Sequence, residues 1–191
     1  MLHPTYPIET ARLLLRPLRM ADLDDLHAIQ SREDVTRYLY WSPRSRDEIR
    51  ATLRARGRHH ALRAEGDPLV LAVERRDTGA MIGTVNLFWL SAEHRQGEIG
   101  YIFHPDHHGR GYASEAVVEI LRLGFEGLGL HRLCGRCDGR NAASARLMER
   151  LGMRREAHLV QNEFVKGEWC DEVIYAMLAE EWAAARGVGR P

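Results

Sequence analysis

The 191-residue chain is 45% hydrophobic and 28% charged, with 27 basic and 27 acidic residues in balance. That composition describes one ordinary globular domain, residues 1–191, burying roughly 70% of its unfolded surface, and it lacks the basic excess that a nucleic-acid partner asks for. Residues 1–10 hold prolines and a glutamate where a secretion signal needs an apolar core, and no apolar run approaches the roughly 20 residues that span a bilayer, so a cytoplasmic protein with no membrane partner is expected.

Residues 11–17 alternate Leu13 and Leu15 against Arg12, Leu14 and Arg16, the period of a strand, which Pro17 ends. Asp22 is placed to cap a helix carrying Leu23, Leu26 and Ile29. The aromatic cluster Tyr38, Tyr40 and Trp41 follows in a connection, where it either lines a substrate mouth or packs between helices. Ser45-Arg-Asp-Glu48 is a capping-box pattern opening a second helix that stops near Gly57. The middle of the chain reads as strands: residues 69–74, a turn at 77–79, and residues 81–90 with Val85, Leu87 and Trp89 on one face.

Residues 98–125 form the stretch around which the rest is organised. A short apolar run over 99–103 closes at His104-Pro105, and His108-Gly109-Arg110-Gly111-Tyr112-Ala113 leads into a helix with Ala113, Ala116, Val117, Ile120 and Leu121 at helical spacing. A helix opening at Tyr112 offers unpaired amide hydrogens and the positive end of its dipole, while Gly109 and Gly111 let the backbone approach an anion and Arg110 adds charge. A phosphate or pyrophosphate is the ligand such a turn favours, although a GxG turn also opens helices that bind nothing.

Residues 131–137 read as another strand. Its Cys134 and Cys137 form a C-x-x-C whose odd spacing turns them to opposite faces, against a shared metal; three cysteines in all fit a reducing compartment. A helix from about Asn141 to Leu151 puts Ser144 with Leu147, Met148 and Leu151 on its inward face, so that hydroxyl either bonds back to a carbonyl one turn earlier or points into a cleft. Two strands over 156–165 and 172–178, joined at Lys166-Gly167, and a short amphipathic tail with Trp182 complete an α+β plan.

Taken together, Glu98-Ile-Gly-Tyr-Ile-Phe-His-Pro, His108-Gly-Arg-Gly-Tyr-Ala-Ser-Glu-Ala and Arg140-Asn-Ala-Ala-Ser-Ala-Arg-Leu-Met-Glu-Arg-Leu-Gly resemble the GNAT superfamily of acetyl-CoA-dependent N-acetyltransferases. Arg12-Leu-Leu-Leu-Arg-Pro and Gly167-Glu-Trp-Cys-Asp171 with Tyr175 are similar to the group containing the RimJ and RimL ribosomal-protein N-terminal acetyltransferases, and the likeness runs from about residue 9 to 184. It implies a mixed, mostly antiparallel sheet of about seven strands flanked by about four helices and splayed at its central strand. It also implies acetyl-CoA as co-substrate, without a metal. The pyrophosphate loop falls on His108, Gly109, Arg110, Gly111, Tyr112, Ala113 and Ser114, with His108 where the family has Gln or Arg. Ile102, Phe103 and His104 are expected along the pantetheine arm, and Asn141 and Ser144 beside pantetheine and thioester.

The reaction so implied is direct transfer of acetyl to a neutral amine, which needs a base, an oxyanion donor and a partner for the leaving thiolate. Glu98 is the candidate base and Glu163 its competitor, both bordering the acceptor cleft with Tyr40 and Trp41; an amide near Phe103 serves the oxyanion and Ser144 the thiolate. An α-amine with pKa near ~8 is more often neutral at pH 7 than a lysine near ~10.4 and so asks less of the base, which does not choose between a peptide terminus, a polyamine and an antibiotic amine. The resemblance makes a protein or peptide N-terminus the expected acceptor. A polyamine or antibiotic amine remains an alternative acceptor, as does a CoA-binding sensor without transfer activity. A metal cluster at His104, Asp106, His107 and His108 is a third reading of the loop. The chain is expected to act as a monomer or homodimer.

Overall fold

Period-two alternation sets the first strands. In the computed structural model, which describes residues 1–56 and 59–187, β1 (Ile8–Glu9) pairs antiparallel with β2 (Leu13–Pro17), whose Leu13 and Leu15 are fully buried. Asp22 precedes α1 (Leu23–Gln30) but does not cap it. Its buried carboxylate takes Nη1 and Nη2 of Arg16 at 2.9 and 2.7 Å and the Arg19 amide at 2.8 Å. A buried acid that meets a guanidinium forms this bidentate pair in preference to a cap.

A single helical turn, α2 (Glu33–Thr36), leads through the aromatic connection to α3 (Arg46–Arg56). The capping box is present: Ser45 donates through its amide and Oγ to Glu48 Oε2 at 2.7 and 2.8 Å. The expected stop at Gly57 lies outside the described residues. Next, β3 (Pro68–Arg75), β4 (Met81–Ser91) and β5 (Gln96–Phe103) form an antiparallel meander.

The chain then crosses over through α4 (Tyr112–Arg122), extended by a π-helical turn at Leu123–Gly127, to β6 (Arg132–Asp138), which runs parallel to β5. After α5 (Ala142–Arg150), β7 (Arg154–Val165) and β8 (Glu168–Leu178) form a hairpin turned by Lys166 and Gly167 at φ 51° and 88°, a pair of left-handed residues suited to strand twist. α6 (Ala179–Ala185) closes the chain by stacking Trp182 on Phe125 at 5.7 Å.

The sheet order is β1-β2-β3-β4-β5-β6-β8-β7, antiparallel at every pair except β5 and β6. The mostly antiparallel α+β plan is therefore the observed one, with eight strands and six α-helices among the described residues. β1 and α2 were not expected because two and four residues are too short to carry a period. Helices cover both faces: α4 and α5 pack Val117, Ile120, Leu121, Leu147 and Met148 on one, while α1 and α3 pack Leu26, Ile49 and Leu53 on Val70, Ala72 and Met81 of the other. β3, covered on both sides, is accordingly apolar at successive positions. No described helix is long and apolar enough to cross a membrane.

Candidate active site

The site begins where two strands part. β5 pairs with β4 along its length, but with β6 only from Gln96 opposite Arg132 to Ile99 opposite Gly135. Beyond that point residues 100–103 face an open wedge, the expected splay at the central strand. Close approach of α5 supports it, since a Cβ on Gly135 would lie 2.7 Å from Met148 Sδ. The His104 amide donates to Ile82 O at 2.9 Å on the β4 side. By strand alternation the Tyr101 and Phe103 amides therefore point into the wedge, free to meet an extended polar chain.

At the end of the wedge the chain turns through Gly109 and Gly111, at φ 74° and 80°, into α4. The Gly111 conformation is one that a side chain strains, and it aims the first α4 amides outward. Arg12, from β2's edge, braces this turn: its guanidinium meets Glu115 Oε2 at 2.7 Å and Arg110 O at 2.9 Å, and lies over the Tyr112 ring at 4.6 Å. Burial pushes the Glu115 carboxyl up, but bonds from Thr10 and Arg12 more than offset it and hold it below the usual range.

A cavity of about 570 Å³ occupies the wedge, walled by Ile102, Phe103, His108, Gly109, Gly111, Tyr112, Ala113, Ser114, Asn141 and Ser144 among others. The strand amides, the positive-φ glycines and the open first turn of α4 fit a pantetheine pyrophosphate. His104 and Arg110, expected in this set, are not among its walls. His104 instead caps the turn after β5, accepting from the Asp106 amide at 3.2 Å, and Arg110 is held through its carbonyl by Arg12. His108 turns back onto Phe103 O at 3.2 Å. Among the described residues no three His, Cys, Asp or Glu side chains converge on a metal position.

A second cavity, about 290 Å³, continues past the wedge and shares Tyr38, Leu39, Tyr101, Ile102, Asn141 and Ser144 with the first. At that junction Ser144 Oγ lies 2.8 Å from Tyr101 Oη, so the serine bonds to a phenol rather than to a carbonyl one turn earlier. Burial, against the Ser144 bond, pushes the Tyr101 hydroxyl up to about 12, so it stays protonated. Asn141 caps α5 by accepting the Ser144 amide at 3.1 Å.

Tyr40, Trp41, Glu98 and Glu163 all line this second cavity. Tyr40, 69% exposed as a whole, donates to Glu163 Oε2 at 2.7 Å, and partial desolvation of its hydroxyl, followed by that bond and the Glu163 charge, raises its pKa. Trp41 lies under the Arg44 guanidinium at 4.1 Å. Glu98 Oε2 accepts both Nε and Nη2 of Arg136, at 2.9 and 2.7 Å. Behind them Glu172 is only 4% exposed. Its burial, then the charge of Glu163, push its carboxyl up. Sequence reasoning missed Arg12, Tyr101, Arg136 and Glu172. The first is some hundred residues from its partner, and Tyr101, Arg136 and Glu172 read as ordinary strand positions; only the period-two placement of Glu172 and Cys170 on one face of a strand offered a signal.

Residues 12–154 match the family model described as an acetyltransferase (GNAT) domain. The chain is 34% identical over 175 residues to the uncharacterized N-acetyltransferase YnaD of Bacillus subtilis, covering 92% of this chain and 98% of that one. Its backbone superposes on an acetyltransferase of the GNAT family from Bacillus anthracis with a TM-score of 0.81 at 31% identity, covering 91% of this chain and 98% of that one. It also superposes on spermidine N-acetyltransferase from Vibrio cholerae, solved with CoA and spermine, with a TM-score of 0.76 at 26% identity over 91% of this chain and 99% of the other.

Proposed function

The chain belongs to the GNAT acetyltransferase family, as an acetyl-CoA-dependent N-acetyltransferase of amines, and from that premise we propose that its acceptor is the α-amine of a peptide or protein N-terminus, as in the RimJ/RimL-like group. The observation that carries this reading is the lining of the acceptor cavity. Its walls combine the aromatic side chains of Tyr38, Tyr40, Trp41 and Phe88 with four basic residues, Arg37, Arg136, Arg140 and Lys166, among five acidic ones. Arg136, Arg140 and Lys166 already bond Glu98, Asp138, Glu168 and Thr36 O. Each guanidinium nevertheless carries five N–H groups and the ammonium three, so N–H groups remain for peptide carbonyls beside carboxylates for the amine. A polyamine, all positive charge and methylene, has no use for those donors. Three free cysteines fit a cytoplasmic setting.

In this reading acetyl-CoA lies in the wedge, its pyrophosphate on the glycine turn and α4 and its amides on β5. The amine nitrogen attacks the thioester carbonyl, the carbon–sulfur bond breaks, and the amine's proton goes to a carboxylate. Glu163 takes that role ahead of Glu98, because Arg136 already occupies Glu98 Oε2 with two bonds. A β5 amide near Phe103 faces the carbonyl oxygen, and Ser144, backed by the Tyr101 hydroxyl, donates to the sulfur.

A polyamine acceptor is the second reading, favoured by the likeness to a spermine-bound spermidine acetyltransferase and by the carboxylates Glu98, Glu163 and Glu168 in the cavity walls. CoA release measured over peptides with varied first residues, spermidine and aminoglycosides separates the two. Turnover with peptides and none with polyamines is the expected result. The reverse overturns the N-terminal reading, and no release with any amine leaves the CoA-binding sensor.

A further inference from the structure

Beside the acceptor cavity one buried carboxyl has no task in the transfer chemistry. Glu172 lies on β8 between β6 and β7. Its Oε2 accepts Asn162 Nδ2 at 2.9 Å, whereas Oε1 is buried without a hydrogen bond and sits 3.7 Å from Arg136 Nη1. A buried acceptor left unbonded destabilises a fold, so its retention asks for a reason.

Both neighbours lead to a candidate base. Asn162 belongs to a bulge of β7, where the register shifts between Leu159 and Glu163 and Gln161 takes φ 50°. That bulge is held by two successive β8 acids, Asp171 accepting the Gln161 amide at 2.9 Å and Glu172 accepting Asn162. A bulge re-aims the residues beside it, and here the next residue is Glu163. On the other side Arg136 is the guanidinium that holds Glu98.

We propose that Glu172 is a positioning residue of the transfer site, one oxygen fixing the bulge that presents Glu163 and the other facing the guanidinium that holds Glu98, so that its charge sets when the acceptor's base takes a proton. The inference rests on the transfer reading above. The charged and titratable groups facing Glu172 are Glu163 on β7, Arg136 and Cys137 on β6, Glu98 on β5 and Tyr40 in the connection before α3. Burial first, and then the charge of Glu163, favours proton uptake on Glu172; Arg136 opposes this.

The test is Glu172→Gln, which keeps shape and an oxygen for Asn162 but removes the charge. The acid limb of kcat/KM moves to lower pH by about half a unit or more, because the base loses a like-charged neighbour, while acetyl-CoA affinity by calorimetry is unchanged. Arg136→Gln, which leaves Glu172 charged and without its counter-ion, moves the limb the opposite way. A readout independent of turnover accompanies these. The carboxyl of Glu172 is raised in the fold, so its contribution to stability is fully present below the unfolded value of 4.5 and is lost as pH rises through the folded value. Urea unfolding of Glu172→Gln lacks that loss. A uniform fall in kcat/KM with an unmoved limb in both variants assigns Glu172 to a structural pin and overturns the inference, as does an unchanged profile. Absence of CoA release by the wild-type chain overturns the transfer reading instead, and this inference with it.

Discussion

The two ends of the cleft are made of different material. The proposed cofactor end is backbone: strand amides of β5 left free by the splay, two glycines at positive φ, and the first turn of α4. The proposed acceptor end is side chain: Glu98, Arg136, Glu172 and Glu163 come from four strands and Tyr40 from the connection above them. Backbone recognises what every acetyl-CoA shares and tolerates substitution of the residues around it. Side chains recognise what differs between acceptors, and each is individually replaceable. The difference predicts where single changes act on binding and where they act on turnover.

Gly111→Glu tests the backbone end with the largest expected effect. It forces a side chain into a left-handed conformation and brings negative charge to the positive end of α4. Acetyl-CoA affinity falls by roughly 100-fold or more in calorimetry, and wild-type affinity would remove the pyrophosphate from this turn. At the side-chain end, Glu163→Gln lowers kcat/KM by about 100-fold while acetyl-CoA still binds, since general-base catalysis typically contributes that much or more. If Glu98→Gln has the larger effect, the base is Glu98 and its pairing with Arg136 must open during turnover. At the junction, Ser144→Ala lowers kcat by about tenfold with little change in cofactor affinity, consistent with loss of one hydrogen bond to a charged leaving group. Tyr101→Phe follows it in the same direction, and an unchanged kcat in a steady-state assay takes the pair out of the mechanism.

The same contrast explains what could be read from the chain in advance. The cofactor end is local: strand, glycine turn and helix occupy one continuous stretch, and Gly109, Gly111, Tyr112, Ala113 and Ser114 announce their geometry by residue type and spacing. Ser144 was legible too, because helical period alone turns it inward with Leu147 and Met148. Asp22 misled, since its position before a helix is the signal for a cap while the partner that claims it, Arg16, is a tertiary neighbour. The acceptor end depends on the register of β5, β6, β8 and β7 and on a bulge at Gln161, none of which a local pattern encodes. Tyr101 reads as one more aromatic on a strand until α5 places Ser144 against it.

One charged element does belong to the cofactor end, and it gives the smallest expected effect. Arg12 is 48% exposed and Glu115 16%, so their pair lies in solvent-screened surroundings and contributes about 0.5 kcal/mol. Arg12→Met removes the bond to Arg110 O and the stacking on Tyr112 as well, loosening the turn without touching its amides. Acetyl-CoA affinity then weakens by only about two- to threefold. Because Glu115 titrates below its usual range in the fold, its stabilisation is present above the unfolded value of 4.5 and is lost as pH falls through the folded value. Urea unfolding of Arg12→Met therefore shows a smaller stability loss on acidification than the wild type. Should this variant weaken binding as much as Gly111→Glu, the cofactor end would depend on a side-chain brace as heavily as the acceptor end depends on its carboxylates, and the division between backbone and side chain would not hold.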